Sequence, residues 1–196
     1  MAKPLWSQCG DIADFYFPTG PNACDKNTWV LKHRGKAWCK KNPGARSWSK
    51  VAPTPSNGGG DFVESLFAFV ETQVPGPVDV LLGFSQGGYS IHALPEQLPP
   101  KLQAVRAVVI MMSGGSSKGL QQLRSLHVLG LDDKLVAPAT SEKAGAAYEA
   151  PIVARVKGVG HDGPFKAPCN AVTLAFLRGL HDFHSSFPSL ADFRSG

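Results

Sequence analysis

The clearest capacity for chemistry lies in Gly83-Phe84-Ser85-Gln86-Gly87-Gly88. A serine hydroxyl is a poor nucleophile at neutral pH. A protein that uses one sets it at a sharp strand-to-helix turn, near a base and near backbone donors for the developing oxyanion. The local pattern fits that need. Val78-Asp79-Val80-Leu81-Leu82 is a short apolar run of strand type, and Tyr89 and its successors can continue as a helix. Gly83 and Gly87 flank Ser85 at the spacing that lets the backbone turn without a Cβ collision, and Gly88 permits close packing of helix on sheet. The Gln86 N–H, at the positive end of the helix, is the expected oxyanion donor.

An activated serine needs a base, and the base needs a group that holds its tautomer and stabilises the imidazolium. In strand–turn–helix proteins of this type these follow in the order acid, then base, just beyond later strands. Residues 126–131 form an apolar run that ends in Asp132-Asp133-Lys134-Leu135-Val136. Residues 153–156 form another, ending in Lys157-Gly158-Val159-Gly160-His161-Asp162-Gly163. His161 is the expected base. Asp132 and Asp133 compete for the acid, with Asp133 favoured, while Asp162 reads as a turn former. His127 falls inside a strand and reads as a packed core residue. His92 lies on the helix after the serine, His33 in a basic loop, and His181 and His184 near the C-terminus.

Other chemistries have less support. Cys9, Cys24, Cys39 and Cys169 lack the Cys-x-x-Cys spacing of a zinc knuckle or redox pair and read as free thiols of a reducing, cytoplasmic compartment. The first eleven residues contain no apolar run of signal-peptide type, and no stretch has the length of a membrane span. The net charge of +5 is local. Lys32, Arg34, Lys36, Lys40, Lys41, Arg46 and Lys50 stand together without an acid, with Trp29, Trp38 and Trp48 interleaved. That segment bears a faint likeness to a base-stacking surface, but a solvated loop, or one that attracts an anionic substrate, explains it better; nucleic acid is not an expected partner.

The elements that must position these residues alternate. A strand is expected over 12–17, then a long basic, irregular loop or lid over 22–60. Asp61 suits the N-cap of a helix carrying Phe62, Val63, Leu66, Phe67 and Val70. After the serine turn, 104–112 is a nearly continuous apolar run, the pattern of a strand buried on both faces of a parallel sheet. Residues 125–131 and 152–156 are further strands. Residues 139–148 and 171–180 are helices, and 184–196 read as a loose tail. Alternating strands and helices predict one α/β domain over 1–196, with a mainly parallel sheet flanked by helices.

Together, Gly83-Phe84-Ser85-Gln86-Gly87-Gly88 preceded by Pro77-Val78-Asp79, Ser113-Gly114, Asp133-Lys134-Leu135-Val136 and Gly160-His161 resemble the small α/β-hydrolase-fold serine hydrolases of the FSH type. They are also similar to the carboxylesterase and acyl-protein thioesterase branch. The likeness spans roughly residues 61–180. In that branch the aspartate stands three residues before a valine, as Asp133 does before Val136. The resemblance implies a Ser85–His161–Asp133 triad that cleaves a small-molecule ester or acyl thioester without cofactor or metal. It also implies a substrate pocket bordered by Trp48 and Phe84. Such enzymes carry an earlier strand ending in a His-Gly loop that donates a second oxyanion hydrogen bond. No such pair precedes residue 12, so the sheet is expected to be shortened at its N-terminus, with an edge that a homodimer would cover. The alternative expectation is a catalytically weak or inactive hydrolase-fold binding protein that uses its pocket or the basic segment 29–50.

Overall fold

The computed structural model describes residues 5–20, 22–23, 46–47, 60–115, 119–161 and 166–182. Its centre is a four-stranded parallel sheet of β3 (Val80–Phe84), β4 (Ala107–Met111), β5 (Arg124–Gly130) and β6 (Pro151–Val156), hydrogen-bonded in that order. The earlier β1 (Asn22–Ala23) and β2 (Arg46–Ser47) form a two-residue antiparallel ladder. The start of the segment expected to be an irregular loop or lid over 22–60 therefore pairs with a stretch inside it. Most of that segment, Trp48 included, lies outside the described residues, as does the tail over 184–196.

Parallel neighbours need long crossovers; helices supply those from β3 to β4 and from β5 to β6, while among the described residues no helix lies between β4 and β5. In chain order the helices are α1 (Leu5–Gln8), α2 (Gly60–Gln73), α3 (Gln86–His92), α4 (Pro100–Gln103), α5 (Pro138–Gly145) and α6 (Ala167–Asp182). Helix α2 starts at Gly60, so Asp61 lies in its first turn. Phe62, Leu66, Val70 and Val74 recur at four-residue spacing. They bury one stripe against Leu81, Val108 and Ile110 of the sheet. Helix α3 stops at His92, ahead of Pro95, which cannot continue a helix.

The sheet explains the apolar runs. Strand β4 is buried at every position, because its two faces meet two different layers. Val108 and Ile110 join the α2 side, while Val109 and Met111 join Leu126, Val128, Val156 and Cys169 on the α6 side. The register sets Phe84 opposite Met111, and Met111 opposite Val128, so β3 and β4 end level and β5 runs on to Gly130 at the same edge. That shared carboxyl edge is where side chains from the following loops converge.

One expected strand is absent. Residues 12–17 adopt no regular structure. Ile12 and Phe15 pack beside Leu5, Cys9, Val80, Leu177 and Leu180, while Tyr16 and Phe17 remain exposed. An apolar aromatic run becomes a strand only with a ladder partner, and among the described residues this run has none. Among them, too, no helix is long and apolar enough to cross a membrane.

Candidate active site

Ser85 stands between the last residue of β3 and the first of α3. Its backbone, at φ 51° and ψ −117°, lies in a region that L residues rarely adopt. Such strain costs about 1–3 kcal/mol and persists only where the surroundings hold it. Three hydrogen bonds do so. The Ser85 N–H donates to the Met111 carbonyl at 2.9 Å, and the Ser85 carbonyl accepts from the N–H groups of Gly88 at 3.0 Å and Tyr89 at 3.2 Å.

The glycines divide the steric work differently from the expectation. A Cβ on Gly83 would stand 2.7 Å from the carbonyl carbon and oxygen of Gly87 and from the Gly88 nitrogen. A Cβ on Gly88 would stand 2.5 Å from Ser113 Cβ. A Cβ on Gly87 would meet nothing within 4 Å. The tight turn thus depends on Gly83, and helix-to-strand packing on Gly88, whereas Gly87 faces open space.

Asp133 and His161 lie on loops after β5 and β6, as expected. His161 Nε2 is 2.8 Å from Ser85 Oγ, and His161 Nδ1 is 2.8 Å from Asp133 Oδ2. The other carboxylate oxygen, Asp133 Oδ1, accepts from the backbone N–H groups of Leu135 at 2.8 Å and Val136 at 2.9 Å. The Asp133 side chain is 1% exposed and that of His161 10%. A shielded carboxylate with both oxygens engaged can accept from Nδ1, in the tautomer that turns the Nε2 lone pair to the serine hydroxyl. Asp132 is exposed, and its backbone N–H donates to the Val159 carbonyl at 3.0 Å, joining the two loops.

The remaining expected residues are placed as follows. Gln86 is buried as the first residue of α3, with its carbonyl accepting from Ser90 Oγ at 2.9 Å. Phe84 packs against the Met111–Val128–Val159 group, and its ring centroid lies 5.1 Å from that of His161, tilted 38°. Trp48, Asp162, His33 and His184 lie outside the described residues. His181 is exposed beside Asp182. His92 and His127 are buried on either side of Tyr148, away from the serine, with ring centroids 5.8 and 4.9 Å from the phenol ring. Among the described residues no group of three His, Cys, Asp or Glu side chains could hold a metal ion.

Two contributors were not legible in the sequence: the Leu135 and Val136 N–H groups that orient Asp133, and the Phe84 ring on His161. An aspartate closing a strand before a turn is a signal for the first. The second has none, because it depends on which face of β3 Phe84 occupies.

A parallel sheet flanked by helices, with a strained serine between strand and helix, defines an α/β-hydrolase fold. Solved structures agree in fold. Esterase PE8 superposes with a TM-score of 0.61 at 17% identity, covering 89% of this chain and 83% of that one. A variant of SOBER1 from Arabidopsis thaliana gives 0.57 at 16% identity, with 88% and 86% covered. More particularly, the chain belongs to the serine hydrolase (FSH1) family, which it matches over residues 3–172. It is 28% identical over 167 residues to esterase OVCA2 of Xenopus tropicalis, covering 80% of this chain and 71% of the relative. It is 33% identical over 171 residues to a Caenorhabditis elegans esterase, covering 80% and 73%.

Proposed function

We propose that this protein hydrolyses a carboxylic ester or thioester through an acyl-enzyme, with Ser85 as nucleophile, His161 as general base and Asp133 as the group that orients it. The observation that carries this reading is the continuous relay from Ser85 Oγ to His161 Nε2 and from His161 Nδ1 to Asp133 Oδ2, each step at 2.8 Å. As Oγ bonds to the substrate's carbonyl carbon, its proton passes to Nε2. The tetrahedral oxyanion takes a hydrogen bond from the Gln86 N–H at the start of α3. When the intermediate collapses, the leaving alkoxide or thiolate departs with the proton from Nε2. Water then repeats the sequence and releases the acid.

Two relatives bear the name esterase, which favours an oxygen ester as the substrate. Trp48 is the proposed pocket wall. The buried free thiols Cys9 and Cys169 suit a reducing compartment such as the cytoplasm. No observation among the described residues favours a binding role for segment 29–50 over catalysis.

Labelling with a fluorophosphonate probe, with the modified residue located by mass spectrometry, tests the proposal. Label at Ser85, absent from Ser85→Ala, is expected. Intact protein that stays unlabelled across the pH range would end it. A panel of matched acyl esters and thioesters then separates the two substrate classes.

A further inference from the structure

The phenyl ring of Phe84 stands against the face of His161, although the residue immediately after it is the serine. Side chains on β3 alternate, so Leu81 joins the α2 layer while Val80 and Phe84 join the α6 layer. On that side Phe84 packs against the buried cluster that holds Met111, Val128 and Val159. Val159 is 2% exposed and lies two residues before His161, after a turn at Gly158 with φ +74°. Phe84 therefore packs on the buried cluster that includes Val159 and also meets the imidazole itself, at 5.1 Å between ring centroids.

Resting on the hydrolase reading, we propose that Phe84 is a positioning residue for His161 rather than a wall of the substrate pocket. The imidazole has two in-plane partners, Asp133 at Nδ1 and Ser85 at Nε2. Both hydrogen bonds run along the ring edge and leave the ring free to rock about the line between them. A ring packed at 5.1 Å and tilted 38° limits that rocking. It also presents an aromatic surface, within the ~6 Å range of cation–π attraction, to the imidazolium that forms in the transition state. Among the described residues, Asp133 is the charged group facing the imidazole, from the loop after β5. Phe84 adds a stabilising surface from β3 without adding charge.

The test compares Phe84→Leu, which keeps apolar bulk, with Phe84→Tyr, which keeps the ring. Positioning predicts that Phe84→Leu loses kcat by about 3- to 30-fold with KM nearly unchanged, the span expected of a cation–π contact of ordinary strength. The acid limb of its kcat/KM profile moves to lower pH, because the protonated imidazole has lost a stabilising face. Phe84→Tyr restores both. The fluorophosphonate labelling rate at Ser85 falls in parallel with kcat. A rise in KM with kcat retained, or an unmoved acid limb, overturns the proposal in favour of a substrate-wall or packing role. Unlabelled wild-type protein overturns the hydrolase reading and this one with it. Labelled wild type with Phe84→Leu reacting equally fast overturns the positioning role alone. If Phe84→Leu does not fold, Phe84→Met provides the ring-free comparison.

Discussion

Gly130 closes β5 so near the Val159 carbonyl that a methyl group on its Cα would stand 2.5 Å from that oxygen. The contact presses the loop that bears Asp133 against the loop that bears His161. Two hydrogen bonds complete the seam, from the Leu131 N–H to the Val156 carbonyl and from the Asp132 N–H to the Val159 carbonyl, both at 3.0 Å. Gly130→Ala must push backbone rather than a flexible side chain, so we expect a loss of about 1–3 kcal/mol, as for other overpacked sites. Because the displaced carbonyl lies two residues before His161, kcat/KM should fall by more than the lost stability explains at a temperature where the variant is fully folded. Urea unfolding together with esterase kinetics checks both.

Asp133 and Asp132 should separate cleanly. Asp133→Asn keeps the shape but removes the charge and favours the wrong imidazole tautomer, a change that costs up to ~10⁴ in kcat in the Ser-His-Asp template. Asp132→Asn alters an exposed side chain and should change kcat less than about twofold, an effect near the ±0.5 kcal/mol typical of surface substitutions. Steady-state kinetics of the two variants on one ester decides between the neighbours.

The packing of α3 on β4 offers a paired test. Gly88→Ala would set two Cβ atoms 2.5 Å apart, since Ser113 Cβ occupies the space. We expect a destabilisation of about 1–3 kcal/mol. Removing the opposing Cβ with Ser113→Gly should recover part of it, although Ile110 Cγ2, at 3.1 Å from the added atom, remains. A double-mutant cycle by urea unfolding should give a coupling of about 1 kcal/mol, and strict additivity would refute the steric account.

These contacts mark how far the sequence could be read. Ser85, His161 and the Asp132–Asp133 pair were legible because each follows an apolar run. The sheet was legible for the same reason: residues 104–112 and 125–131, read as buried strands, cover β4 and all but the first residue of β5, with ends shifted by up to three residues. Three features were not. Residues 12–17 have the composition of a strand, but a strand is a pairing, and composition carries no information about a partner. Asp132 and Asp133 differ only in the direction the loop backbone gives each side chain. The Phe84 contact with His161 joins positions 77 residues apart and depends on the facing of β3, which no local pattern records.

The last prediction concerns a buried group outside the active site. His92, at the end of α3, and His127, in the middle of β5, flank Tyr148, and burial lowers the pKa of each imidazole from 6.5 to about 4. Burial is the larger cause for His92, with the neighbouring His127 adding to it. Tyr148 Oη lies 3.4 Å from His92 Nδ1, while His92 Nε2 and both nitrogens of His127 have no hydrogen-bond partner among the described residues. In the folded protein these rings bind protons less readily than in the unfolded chain. The unfolded state therefore takes up more protons between pH 6.5 and about 4, and folding stability falls as the pH drops through that window. Shifts of this size correspond to roughly 3 kcal/mol per histidine, fully present above pH 6.5 and spent by about pH 4. Urea unfolding of the wild type at pH 7, 6 and 5 should show this decline. His92→Gln/His127→Gln replaces both rings with neutral amides, so its stability should vary far less with pH over the same range. A double variant with the wild-type slope would assign the acid sensitivity to other groups.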